Sequence, residues 1–148
     1  MSRGVTERDQ PGLRMRLAHE ARRIAGQHAY LAALEATTLL ALENGDGAAI
    51  ARALAAFAGS LESHFTLEEQ VQFPALHGLH PGHERALAEL VADHARYRSA
   101  IEAVRALATG RDAVARRAEV IAGFGRLAAD LKDHEGREEA LLAATPVH

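Results

Sequence analysis

The stretch IARALAAFAGSLESHFTLEEQV, Ile50 to Val71, decides the fold class. Its apolar residues Ile50, Leu54, Phe57 and Leu61 recur at steps of four and three, and the same steps continue through His64, Glu68 and Val71. That spacing draws one stripe along an α-helix, whereas a strand needs a step of two. A second stretch, VIAGFGRLAADLKDHEGREEAL from Val120 to Leu141, carries the same stripe as Val120, Phe124, Leu127, Leu131, His134, Glu138 and Leu141. The two superpose at a constant offset of 70 residues, laying His64 on His134, Glu68 on Glu138 and Glu69 on Glu139. The polar members of this weak internal repeat match as well as the apolar ones.

Two further stripes complete the pattern. Leu13, Leu17, Ile24, His28, Leu31, Thr38 and Leu42 share one side of a first helix, and Leu87, Leu90, His94, Tyr97, Ile101 and Val104 one side of a third. Breaks separate them. Residues 1–12 are polar, end in Pro11-Gly12 and read as a flexible tail. Asn44-Gly45-Asp46-Gly47 is a turn. Pro74 is expected to end a second helix begun near Ala48, with Pro74 to Gly82 as the one longer connection. The third helix is expected from His83 to Ala108, closed by Thr109-Gly110, and the fourth from an Asp112 cap to Ala143. The expected fold is all-α, an antiparallel up-down-up-down four-helix bundle over residues 13–145.

Composition agrees and excludes other classes. Half the 148 residues, 48%, are apolar, enough for one packed domain. Alanine is the commonest residue, and alanine is the best helix former. With no cysteine there is no disulfide, thiolate site or cysteine-ligated cluster. A net charge of −3 lacks the basic footprint of a nucleic-acid binder. No apolar run is long enough to span a membrane. The N-terminus has no apolar signal core, so a cytoplasmic location is the default expectation. One feature stands apart: nine histidines against four Phe, two Tyr and no Trp.

Each helical stripe contains one histidine, and two carry a glutamate four residues on. His and Glu at that spacing lie on one helix face, about 6 Å apart at Cβ. An unpaired carboxylate in a core seam costs several kcal/mol. Placing one there twice, beside four histidines, calls for compensating cations, and a pair of metal ions satisfies His28, His64, Glu68, His94, His134 and Glu138 together. Level along the bundle is a second check. His28 and His64 lie about 24 and 27 Å from the first turn, but His94 and His134 about 24 and 36 Å from the second. Either the fourth helix starts later than Asp112 or the connection before it is longer.

In this order, His28, then His64-x-x-x-Glu68, then His94, then His134-x-x-x-Glu138, the chain resembles the hemerythrin-like HHE cation-binding family. HFTLEEQVQFPAL, His64 to Leu76, and HEGREEALL, His134 to Leu142, are similar to its second- and fourth-helix signatures. The resemblance implies a four-helix bundle with two iron ions, His28 and His64 on one, His94 and His134 on the other, and Glu68 and Glu138 bridging. Zinc or manganese could substitute. It implies O2, NO or peroxide as small ligand, and a redox partner. The oxygen-carrying members have a further histidine one turn after the third-helix ligand, where this chain has Arg98. A ligand binder or sensor is the leading expectation. A peroxide- or NO-consuming oxidoreductase and an iron-handling or iron–sulfur repair protein are the alternatives.

Other residues leave choices. His19 rivals His28 but sits beside Glu20, Arg22 and Arg23, read as a solvated face. Glu69 and Glu139 could ligate instead of Glu68 and Glu138, or lie outside the ligands. Glu35 is either a partner to the site or a solvated carboxylate. His77, His80 and His83 crowd the connection and could form a second metal or pH-sensitive site. Tyr30 and Tyr97 read as seam aromatics. Arg98 either snorkels outward or steers a ligand. Arg22-Arg23 and Arg116-Arg117 read as solvated faces.

Overall fold

The computed structural model describes residues 10–109 and 113–144. Helix α1 runs over Gln10–Asn44, α2 over Gly47–Leu67, α3 over Phe73–Leu79, α4 over Glu84–Leu107 and α5 over Arg117–Ala143. A π-helical turn, Glu68–Gln72, joins α2 to α3, and a 3₁₀ turn, Pro81–His83, leads into α4. No strand occurs among the described residues. The long helices pack as a closed ring of neighbours, α1 on α2, α2 on α4, α4 on α5 and α5 on α1, which is a helical bundle. No described helix is long and apolar enough to cross a membrane. Most of the expected tail, residues 1–9, lies outside the described residues, as do Gly110, Asp112, Pro146 and His148; Gln10 to Gly12 already belong to α1.

The first turn forms as the sequence suggests. The Asp46 carboxylate accepts from the Ala49 N–H at 2.8 Å and caps α2. Gly45 is required by space: a Cβ there would lie 2.5 Å from the Ala41 carbonyl oxygen.

Three expected boundaries are corrected. Pro74 does not end the helical run. Phe73 N–H bonds to Glu68 O, five residues back, so one extra residue enters the turn. Pro74 then falls in the first turn of α3, where a missing N–H leaves nothing unpaired. The supposed connection is therefore mostly helical. The extra residue also turns the seam by one position: Val71 is 41% exposed and Gln72 takes its place at 0%. Third, α5 starts at Arg117, later than Asp112. His94 and His134 now stand roughly 20 and 26 Å from the facing helix ends, within about one turn. Arg117 is not on a solvated face. Its guanidinium donates to Leu42 O and, at 2.7 Å, to Gly45 O, satisfying carbonyls at the end of α1.

Two apolar clusters fill the interior. The larger includes Leu31, Phe57, Leu61, Phe65, Tyr97, Phe124 and Leu131. The smaller is Phe73, Leu76, Leu87 and Leu90. Along α2, α4 and α5 the buried polar residues lie between these two plugs, which shield them from water at both ends. All four phenylalanines are buried, and Phe57 and Phe124 meet edge to face at 5.0 Å. Phe124→Ala is expected to lower the unfolding free energy by about 3–5 kcal/mol in urea denaturation, through lost contacts and a residual cavity. A loss below about 1 kcal/mol would show that this pair does not anchor the core.

Candidate metal centre

Helices α1, α2, α4 and α5 each turn one histidine inward, and the start of the π turn and the end of α5 add one glutamate each. His28, His64, Glu68, His94, His134 and Glu138 are all buried, the two glutamates at 0% and 1% exposure. One ligand atom from each of Glu68, His94, His134 and Glu138 lies within 4.8 Å of the others, and the same holds for His28, His64 and Glu138. Glu138 belongs to both sets, and Glu68 Oε1 of the first lies 2.7 Å from His64 Nε2 of the second.

All four imidazoles present Nε2 to these carboxylates. His28 Nε2 is 3.1 Å from Glu138 Oε2, His134 Nε2 2.7 Å from Glu138 Oε1, and His94 Nε2 3.5 Å from Glu68 Oε1. Only the first of these has the alignment of a hydrogen bond. Both oxygens of Glu68, Oε1 of Glu138 and Nε2 of His94 and His134 are buried without a hydrogen-bond partner. Buried polar groups are nearly always paired, so such a concentration of close, unsatisfied donor atoms fits a cation. Imidazole nitrogen and carboxylate oxygen suit iron, zinc and manganese, and the chain has no sulfur from cysteine to offer.

The outer nitrogens follow a rule of their own. His28 Nδ1 lies 3.1 Å from Glu139 Oε1, His64 Nδ1 2.9 Å from Gln27 Oε1, His94 Nδ1 3.2 Å from Glu69 Oε1 and His134 Nδ1 3.4 Å from Asp93 Oδ2. Each outer partner sits next in sequence to one of the six inner residues, as Gln27-His28, Glu68-Glu69, Asp93-His94 and Glu138-Glu139. Adjacent helical residues point about 100° apart. One member of each pair therefore faces the centre while the other reaches the histidine of the neighbouring helix. In His28, His64 and His134 the contact is a hydrogen bond, and fixing Nδ1 in this way selects the tautomer whose Nε2 lone pair faces inward; His94 Nδ1 is close to Glu69 without that alignment. Sequence reasoning missed Gln27 and Asp93 in this role. Their adjacency to His28 and His94 is the signal that could have found them.

The remaining candidates are spread elsewhere. His19 is exposed, and Glu20 beside it is buried rather than solvated, because it lies two turns from His28 on the same stripe. Glu35 stands near Glu135 and Lys132 of α5, and burial, with the Glu135 charge, pushes its carboxyl up to about 7. His80 and His83 stack at 4.1 Å, while His77 is exposed on α3, and these three form no metal-holding group of the kind seen at the centre. Tyr97 is buried edge-on to His134 at 5.3 Å, whereas Tyr30 is exposed. Arg98 points away from the centre, onto Glu62 and Glu69.

Residues 19–145 match the hemerythrin HHE cation-binding domain. The chain belongs to this family. No curated protein and no solved structure gives a match. Membership implies cation binding, and the buried His/Glu cluster of this HHE domain is a place that could hold a metal.

Protons can take the place of a cation among these groups. Burial opposes a charge on His28, but its hydrogen bonds to Glu138 and Glu139 prevail and raise it to about 9. Burial pushes His64 down to about 4. Burial and the facing Glu138 push Glu68 far above the usual carboxylate range. Burial would raise Glu138 as well, but contacts with His134 and His28 hold it well below the usual carboxylate range. At neutral pH, His28 and Glu68 therefore each carry a proton that a cation must displace. Loading with divalent metal at pH 7 should release about two protons per chain, and apparent affinity should weaken as pH falls. Above the His28 value of about 9, its share of the release should vanish. Titration calorimetry in buffers of different ionisation enthalpy measures this, and metal uptake without proton release would contradict the assignment.

Proposed function

We propose that the chain is a non-haem di-metal protein, with two iron ions as residents, that binds or senses a small ligand such as O2 or NO. The observation that carries this reading is the buried set of unsatisfied nitrogen and oxygen atoms shared by Glu68, His94, His134 and Glu138. Family membership supports it. In this reading His28, His64 and Glu138 hold one ion, and Glu68, His94, His134 and Glu138 the other. The four long helices form an antiparallel up-down-up-down bundle around them, a reading supported by the short joint between Asn44 and Gly47. The bound ions would supply open coordination positions and, as iron, electrons for a diatomic ligand.

The chain's own residues do the rest. Gln27, Glu69, Asp93 and Glu139 hold the imidazoles. The apolar clusters on either side keep water from competing for the polar atoms. A cavity of about 500 Å³ between α1 and α2 is lined by Gln27, Tyr30, Leu31, Gly59, Ser63 and His64. It reaches His64 at the edge of the polar layer, and small α2 residues such as Gly59 and Ser63 line it.

The test is an optical spectrum of iron-loaded protein. A reversible binder should develop charge-transfer absorption on exposure to O2 or NO and lose it on removal of the gas. Sustained consumption of peroxide or NO over many turnovers would replace binding with catalysis. No spectral response to any of the three would contradict the small-ligand reading.

A further inference from the structure

Arg98 cannot be a metal ligand, because a guanidinium offers donors only and no lone pair. It lies on α4 one turn after His94, and its side chain is built into a contact chain that returns to that histidine. Its Nε donates to Glu62 Oε2 at 2.8 Å and one terminal nitrogen to Glu62 Oε1 at 3.0 Å, a two-pronged grip on α2. The same terminal nitrogen donates to Glu69 Oε2 at 3.1 Å. The other oxygen of Glu69, Oε1, lies 3.2 Å from His94 Nδ1. The guanidinium also covers the Phe65 ring at 5.4 Å, and Phe65 stacks on the His94 ring at 4.0 Å and 14°. His94 is thus approached by Arg98 along two routes, one polar and one apolar.

We propose that Arg98 is a positioning residue for the metal centre: anchored by Glu62, it fixes Glu69 and Phe65, and these hold the His94 imidazole with Nε2 turned to Glu68. The proposal rests on the metal reading above. Two of the four outer partners are held by arginines: Asp93 by Arg96 and Arg137, the latter also beside Asp133, and Glu69 by Arg98, which is fastened to Glu62 as well. His94 needs that support, since its contact with Glu69 lacks hydrogen-bond alignment and its ring is wholly buried. The fork of an arginine grips Glu62 with two donors and still reaches Glu69, whereas a lysine offers a single point charge without that planar fork.

The experiment uses full-length protein loaded anaerobically with Co(II), whose d–d absorption reports coordination. Wild type, Arg98→Leu, Arg98→Lys and Glu62→Gln are compared for cobalt per chain, the d–d band, thermal midpoint and loss to excess chelator. Expected is biphasic loss in Arg98→Leu. One ion should leave about 10–100-fold faster than in wild type and the other unchanged, with an altered d–d band. Arg98→Lys should slow that faster loss in part, and Glu62→Gln should fall between wild type and Arg98→Leu. Wild-type kinetics and spectrum in Arg98→Leu would overturn the proposal. So would equal acceleration of both ions in step with a lower thermal midpoint, the mark of a purely structural role. If Arg98→Leu does not fold, the two surface-conservative variants decide by the same readouts. A wild-type protein that takes up no cobalt overturns the metal reading itself, and the proposal with it.

Discussion

Everything in this bundle is arranged around two carboxylates placed where water cannot reach them. Glu68 and Glu138 are buried in the core of a domain with few aromatic groups to fill it. A lone ionised carboxylate in such a place costs several kcal/mol even after relaxation, and two facing each other cost more. Protons can offset part of that cost, since burial favours the protonated form of Glu68 and hydrogen bonds draw a proton onto His28. Metal ions remove the need for either. The arrangement is poor as a core and well suited as a ligand set.

The surroundings follow from that constraint. Four imidazoles must keep their Nε2 atoms inward, so each Nδ1 faces an oxygen from a neighbouring element, hydrogen-bonded in His28, His64 and His134 and only close in His94. The centre is therefore supported by the same helix pairs that form the bundle. The phenylalanines and leucines are kept for the plugs on either side of the polar layer, where shape decides stability and exclusion of water.

Much of this was legible in the sequence because helical periodicity is strict. The stripe through Ile50, Leu54, Phe57 and Leu61 assigns His64 and Glu68 to the interior with no further information, and Leu127 and Leu131 do the same for His134 and Glu138. The illegible parts have local causes. One extra residue in the π turn moves the seam from Val71 to Gln72, and nothing in the spacing of apolar residues announces it, since Val71 fits the regular stripe. At the late start of α5, Arg117 reaches back to α1, a long-range contact between residues 75 apart in sequence that periodicity cannot announce. The outer partners were harder still. Gln27 and Asp93 are polar residues beside a stripe, and only the crossing of neighbouring helices gives them a histidine to hold. Arg98 was ambiguous for the same reason, its direction being set by Glu62 and Glu69 on other elements.

The central claim is that six side chains together hold two cations. Metal analysis after anaerobic reconstitution with ferrous iron and removal of excess ion tests it most directly. The wild-type protein should hold about two irons per chain, with a sharp fall in Glu138→Ala, which removes the one residue common to both sets. Trace iron in the wild type, or an undiminished pair in Glu138→Ala, would contradict it.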